Sequence, residues 1–295
     1  MKFQLPFFEH GDGYEIIHFL FTKYVLRFTI GPTNPSLEKP LRRLFKAGPF
    51  GFNASSEVGK AMLMKEETTT ITIGEGETVS GIFTIPDDYA AGQTTGVIVA
   101  HGAANDLAHP LLASFAHGLA AAGYLVLRFN FLFRERGRRS VDRQEMLVHT
   151  WQSVYGFVRD HPRYRPKKVV SAGKSLGGRV ASQMVAEGLL PVECLIFLGY
   201  PLHPPGKKDK LRDSHLYRIN IPMLFFAGTR DSLCDLGQLR GVLERLPGPW
   251  QLETIKGGDH SFRLPKSAGI EEEEIHQKIW EKASRWLQTT VSGRR

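Results

Sequence analysis

The chain has 295 residues, enough to bury a substantial core and too few for several large domains. Apolar residues make up 42% and charged residues 23%, ordinary proportions that exclude a fibrous or wholly disordered chain. The formal net charge of +8 is read as a solvated basic surface, because no long run of Lys and Arg with interleaved aromatics marks a specific nucleic-acid site.

In chain order, the opening stretch MKFQLPFFEHGDGYEIIHFLF has no basic leader before an uninterrupted apolar run and no small-residue cleavage site, which argues against a signal peptide. The run YEIIHFLFTKYVLRFTI carries Glu15, His18, Lys23 and Arg27, which are costly inside a bilayer, so no membrane span is expected. Residues 1–64 also hold the turn-rich GPTNPSLEKP and the loop KAGPFGFNASSEVGK, without a helical period. They are read as an extension of unassigned role, either strand-containing and packed on the main domain or a partly disordered leader, ahead of an α/β domain over residues 65–295.

From Thr68 the pattern becomes regular. ETTTITI and SGIFTIP are β-branched runs separated by GEGET, which predicts a hairpin. Gly74-Glu75-Gly76 lacks the third glycine and the following helix of a dinucleotide-binding turn. Short apolar strands then alternate with helical segments, the signature of βαβ units and a mostly parallel, twisted sheet with helices on both faces. Strands are expected at residues 95–102, 124–131, 167–174, 194–201, 221–228 and 250–257. Helices are expected near 107–122, 141–160, 175–187, 235–246 and 271–288, the last with an apolar stripe at helical spacing and acidic residues 271–274 in its first turn. The two cysteines, Cys194 and Cys234, are too few for a disulfide framework and point to a reducing cytoplasm.

The strand expected to end at residue 174 runs straight into Gly173-Lys174-Ser175-Leu176-Gly177 and then a helix, which is G-x-S-x-G in a strand, turn, helix setting. A nucleophile at the tip of so tight a turn has a strained backbone, and the positions two before and two after must be very small. The turn lifts the Ser175 hydroxyl off the sheet, and the N-H groups opening the helix face any oxyanion formed there. A serine hydroxyl needs a histidine base, and the histidine needs a carboxylate to hold it.

Asp231 and His260 lie just past the next two strands that can supply them, in AGTRDS and GGDHSF, in the order serine, acid, histidine. Asp235 and Asp259 are the reserve acids, the first better suited to capping the next helix and the second too near His260 in sequence. Leu176 N-H is one oxyanion donor. The turn His101-Gly102-Ala103-Ala104 supplies the other, through Ala103 or in reserve Ala104, while His101 itself is assigned no chemistry.

FLFRERGRRS sets Arg134, Arg136, Arg138 and Arg139 near the same rim, where Arg134 is a candidate contact for a substrate carboxylate or phosphate. Pairing with the internal Glu135 accounts for most of these arginines. The long Pro-rich segment YPLHPPGKKDKLRDSHLYRIN is placed to wall the pocket, with His203 a candidate substrate contact.

GKSLGGR, FNFLFRERGRR, LGYPLHPPGK, AGTRDS and GGDHSF, in this order, resemble the dienelactone-hydrolase-like α/β-hydrolase family, over about residues 68–290. The resemblance implies the α/β-hydrolase fold, with nucleophile, acid and base at Ser175, Asp231 and His260. Dienelactone hydrolases proper use a cysteine nucleophile where this chain has Ser175, so their substrate is not carried over. Some members of the family serve as interaction modules, which keeps open a binding or scaffold protein whose triad is idle.

A phosphate-binding loop is the weaker alternative for Gly173-Lys174-Ser175, because Lys168 stands where that loop needs its first glycine. The chain is therefore expected to be a carboxylesterase-like serine hydrolase acting on a small acyl substrate. No metal or organic cofactor is expected, since no His/Cys/Asp cluster has ligand spacing.

Overall fold

The computed structural model describes the strands within residues 3–30, residues 65–74 and residues 76–292. Its contacts divide the chain into two compact units, Met1–Leu63 and Met64–Arg295. In the first, β1 (Phe3–Gly11), β2 (Tyr14–Phe21) and β3 (Tyr24–Ile30) form an antiparallel three-stranded sheet in sequential order. The β1–β2 register slips between Gln4 and Phe7, where Pro6 has no N–H to give the ladder. Both turn-rich segments of residues 31–60 lie outside the described residues.

The second unit holds an eight-stranded sheet built from β4 (Lys65–Thr72), β5 (Thr78–Ile85), β6 (Gly96–Ala100), β7 (Leu125–Phe129), β8 (Val169–Lys174), β9 (Leu195–Leu198), β10 (Met223–Gly228) and β11 (Trp250–Ile255). Its order is β11-β10-β9-β8-β6-β7-β5-β4. Strands β6 to β11 run parallel, whereas β4 and β5 form an antiparallel hairpin on the β7 edge. The six parallel strands fall within the six expected windows. Strands β6 to β10 are buried on both faces, which is why they read as continuous apolar runs.

The helices are α1 (Pro110–Ala121), α2 (Leu132–Glu135), α3 (Gln144–Arg159), α4 (Leu176–Ala186), α5 (Leu236–Leu243) and α6 (Glu272–Leu287). One core layer joins Trp151 and Val154 of α3 and Val180 and Met184 of α4 to one face of the sheet. The other joins Leu111 and Phe115 of α1 and Ile279 and Leu287 of α6 to the opposite face. The apolar stripe of α6 is therefore a core face. Helix α1 starts three residues later than its window because Pro110 occupies the first helical position and His109 caps it, accepting from Leu111 N–H. The stretch read as an arginine-bearing loop contains α2. Its Leu132 and Phe133 are buried, and Phe133 N–H donates to Asp142 Oδ2 at 2.8 Å.

Candidate active site

Strand β8 ends at Lys174 and α4 begins at Leu176, so Ser175 alone makes the turn, with φ 51° and ψ −111°. A left-handed non-glycine backbone of this kind is strained. The flanking glycines have a visible cause. A Cβ on Gly173 would come within 2.2 Å of Gly178 N, and one on Gly177 within 2.7 Å of Ala100 Cβ and O. The turn folds because α4 can then pass directly over the ends of β8 and β6.

Asp231 follows β10 and His260 follows β11, two adjacent parallel strands. Their loops are locked together by close backbone approach: a Cβ on Gly228 would stand 2.2 Å from Gly258 O and 2.5 Å from Asp259 O. Arg230 N–H donates to Gly258 O at 2.8 Å and Gly257 N–H to Thr229 Oγ1 at 2.8 Å. On the other side, a Cβ on Gly199, just after β9, would meet His260 O at 3.0 Å. Gly199, Gly228 and Gly258 are thus site residues as well, and their one signal in the sequence is their place inside LGYPLHPPGK, AGTRDS and GGDHSF.

The three side chains named from sequence come together. Ser175 Oγ lies 2.8 Å from His260 Nε2, and His260 Nδ1 lies 2.7 Å from Asp231 Oδ2. The other Asp231 oxygen, Oδ1, accepts from Leu233 N–H at 2.7 Å. A carboxylate accepts, so the ring proton belongs on Nδ1 and Nε2 faces the hydroxyl as acceptor. The Asp231 side chain is fully buried and that of His260 is 18% exposed, which leaves the serine end of the chain the open one.

The reserve acids have other work. Asp235 caps α5, accepting from Gly237 and Gln238 N–H, and pairs with Lys208 at 2.7 Å. Asp259 shapes the turn carrying His260, accepting from Ser261 N–H at 2.7 Å and Arg263 N–H at 3.0 Å.

The turn carrying Ala103 and Ala104 lies against the elbow: a Cβ on Gly102 would be 3.4 Å from Ser175 Cβ. Leu176 opens α4, where an N–H has no intrahelical acceptor. His101 is buried, and its Nε2 accepts from Phe131 N–H at 3.0 Å while Nδ1 donates to Gly102 O at 2.7 Å. Burial pushes it down to about 4, so the neutral ring fastens the turn to the chain beyond β7.

Two expectations for substrate contacts fare differently. Arg134 pairs with Asp106 across 3.7 Å, which holds it against the loop after β6. His203 is only 1% exposed. Its Nε2 accepts from Asp235 N–H at 3.2 Å and its Nδ1 donates to Pro204 O at 3.0 Å. With both ring nitrogens engaged by main chain, His203 ties the Pro-rich segment to the Asp231 loop and is not a substrate contact. Glu135 also departs from expectation: it accepts from Ser80 and Asn130 rather than from the neighbouring arginines. Arg136 instead pairs with Glu77, and Arg138 with Asp142.

A second serine–histidine contact, Ser182 Oγ with His215 Nε2 at 2.8 Å, has the wrong chemistry for a nucleophile. Ser182 is buried inside α4 and its hydroxyl donates to Arg179 O at 2.9 Å. Nε2 also faces the Tyr200 hydroxyl, which donates to Arg212 O at 2.6 Å. His215 is therefore the donor to both oxygens, in a structural triangle.

The sequence profile of a family described as alpha/beta hydrolase domain matches residues 93–288. Among solved structures, the fold is similar to a dienelactone hydrolase from Anabaena variabilis, with TM-score 0.61 and 23% identity over 77% of this chain and 98% of that one. An esterase domain from Rhodothermus marinus gives TM-score 0.59 and 16% identity over 77% and 100%. An α/β serine hydrolase without a lid from Xanthomonas campestris gives 0.55 and 20% over 77% and 94%. At these identities the structural likeness bears on the fold.

Proposed function

Since the chain belongs to the α/β hydrolase family, we propose that it is a carboxylesterase-like serine hydrolase that transfers the acyl group of a small ester or related compound to water. The observation that carries this reading is the unbroken hydrogen-bond chain from Ser175 through His260 to Asp231. Ser175 Oγ attacks the carbonyl carbon as His260 Nε2 takes its proton, and Asp231 stabilises the imidazolium. Leu176 and Ala103 N–H hold the oxyanion. His260 returns the proton to the leaving oxygen, and water repeats the sequence on the acyl-enzyme.

Arg134, on the rim beside the Ala103 loop, is the proposed contact for an anionic substrate group. Among the described residues no group of three or more His, Cys, Asp or Glu is arranged to hold a metal ion, and none of these steps calls for one. No helix among the described residues is long and apolar enough to cross a membrane. Cys194 and Cys234 are both buried, and two cysteines make no disulfide framework, which fits the proposed cytoplasmic setting.

The test is covalent labelling by a fluorophosphonate together with hydrolysis of a short p-nitrophenyl ester. Wild-type protein is expected to be labelled at Ser175, and Ser175→Ala to lose both label and turnover. His260→Ala is expected to lower kcat by roughly three orders of magnitude or more. A protein that is folded yet neither labelled nor hydrolytic fits instead a binding module with an idle triad.

A further inference from the structure

The proton route makes no use of Lys174, yet this side chain adjoins the nucleophile and is 2% exposed. Alternation along β8 places it on the sheet face of Val170 and Ala172, which pack in the layer of α1 and α6. There its Nζ donates to the main-chain carbonyl of His260 at 3.4 Å. Among the described residues no carboxylate forms an ion pair with it. The Asp231 oxygens are taken by Leu233 N–H and His260 Nδ1, and Asp259 Oδ1 by two main-chain N–H groups of its own turn.

Both carboxylates attract the ammonium from a distance, and Arg263 repels it. From α1 the cap His109 faces it as a neutral ring, held down to about 4 by burial and then by the Lys174 charge; His276 of α6 and Arg263 push His109 the same way, and Asp106 opposes them. Burial outweighs the two carboxylates and pushes Lys174 itself down to about 8.

A buried ammonium with no carboxylate partner destabilises a fold. An apolar side chain of equal length fills the same space without that cost. The lysine is therefore best explained by what its charge does for its neighbours.

We propose that Lys174 is a positioning residue for His260: its buried ammonium grips the main-chain carbonyl of the histidine, ties the loop after β11 to the strand presenting the nucleophile, and so makes the working geometry depend on the Lys174 charge. The inference rests on the serine-hydrolase reading above. A charged donor bonds more strongly than a neutral one. Losing the proton loosens the loop that sets the contact of His260 with Ser175, and small displacements of a reacting group cost rate steeply.

The experiment follows kcat for a short p-nitrophenyl ester, and the rate of fluorophosphonate labelling, from about pH 6 to about pH 10, on the full-length protein. Wild type is expected to lose activity on the alkaline side with a midpoint near 8. Lys174→Met is expected to lower kcat about tenfold, with KM little changed, to abolish that alkaline limb, and to melt no lower than wild type because a buried charge has gone. Lys174→Arg, whose charge persists, is expected to carry activity to higher pH; if arginine does not fit the buried space, the wild-type and methionine profiles decide.

A wild-type profile with no alkaline limb near 8 overturns the proposal, as does a methionine variant that keeps the limb. So does one that merely melts lower and loses kcat without any change in profile shape, since that is the behaviour of a structural residue. A wild-type protein unlabelled at every pH overturns the serine-hydrolase reading and this inference with it, whereas labelling that ignores Lys174 removes this inference alone.

Discussion

Ser175 occupies a backbone conformation that costs a non-glycine residue about 1–3 kcal/mol, and the surroundings that enforce it are main chain rather than flexible side chains. Gly173 is the sharpest case, because the atoms a Cβ would meet belong to the backbone of Gly177 and Gly178. Gly173→Ala is expected to open the elbow and cost about 3 kcal/mol, read as a lowered urea midpoint, together with loss of fluorophosphonate labelling. A variant with wild-type stability and labelling would contradict the close approach.

The same reasoning separates Ser175 from Ser182, which has an equally short contact to a histidine. Ser182 lies mid-helix, its proton already given to Arg179 O. This part of the site was legible in the sequence, since G-x-S-x-G followed by a helix has one backbone solution. The fate of His203 was not: a histidine in a Pro-rich segment reads the same whether it faces a ligand or, as here, bridges main-chain groups from two segments.

At the scale of elements, the edge strand β4 is held by more than its ladder to β5. Glu66 reaches across to Arg128 of β7, a guanidinium 3% exposed that also donates to Leu107 O at 2.9 Å, and His117 of α1 and Thr84 of β5 bond the same carboxylate. Burial pushes the Glu66 carboxyl up, but the His117 hydrogen bond and the Arg128 charge outweigh it and hold the carboxyl below its ordinary value of 4.5.

Glu66→Gln is expected to cost about 2 kcal/mol, less than the loss of one partner in a fully buried pair, because Glu66 is about a third exposed. The unfolded chain binds the Glu66 proton more readily than the folded one. The contribution is therefore fully present above about 4.5 and is lost as pH falls through the lower folded value. Urea midpoints at neutral and at acid pH check both statements: the gap between wild type and variant should narrow on acidification, and a constant gap refutes the linkage. Arg128 interrupts an otherwise apolar strand, and nothing in LVLRF discloses its partner, since Glu66 lies 62 residues away.

At the scale of the molecule, the candidate triad gathers residues from three loops at the carboxyl ends of β8, β10 and β11. Parallel strands from crossover units deliver all their following loops to one edge of the sheet, so residues far apart in the chain meet there. The unit from Met64 onward contains both core layers and every candidate site residue. We propose that it folds and acts alone. A chain of residues 64–295 is expected to unfold cooperatively and keep its p-nitrophenyl esterase activity within about threefold of the full-length protein. Loss of cooperative unfolding would show that residues 1–63 complete the fold.

By itself the sequence determined the strand and helix series, the chain order of serine, acid and histidine, and the elbow, because each depends on local periodicity or on neighbours within a few residues. Three things depended on tertiary structure: which glycines let the loops approach, which histidines serve as struts, and the burial of a lysine behind the histidine loop. These follow from atoms brought together across the sheet by packing, and a linear pattern carries no record of what lies 3 Å away when the partner is a main-chain group that every residue possesses.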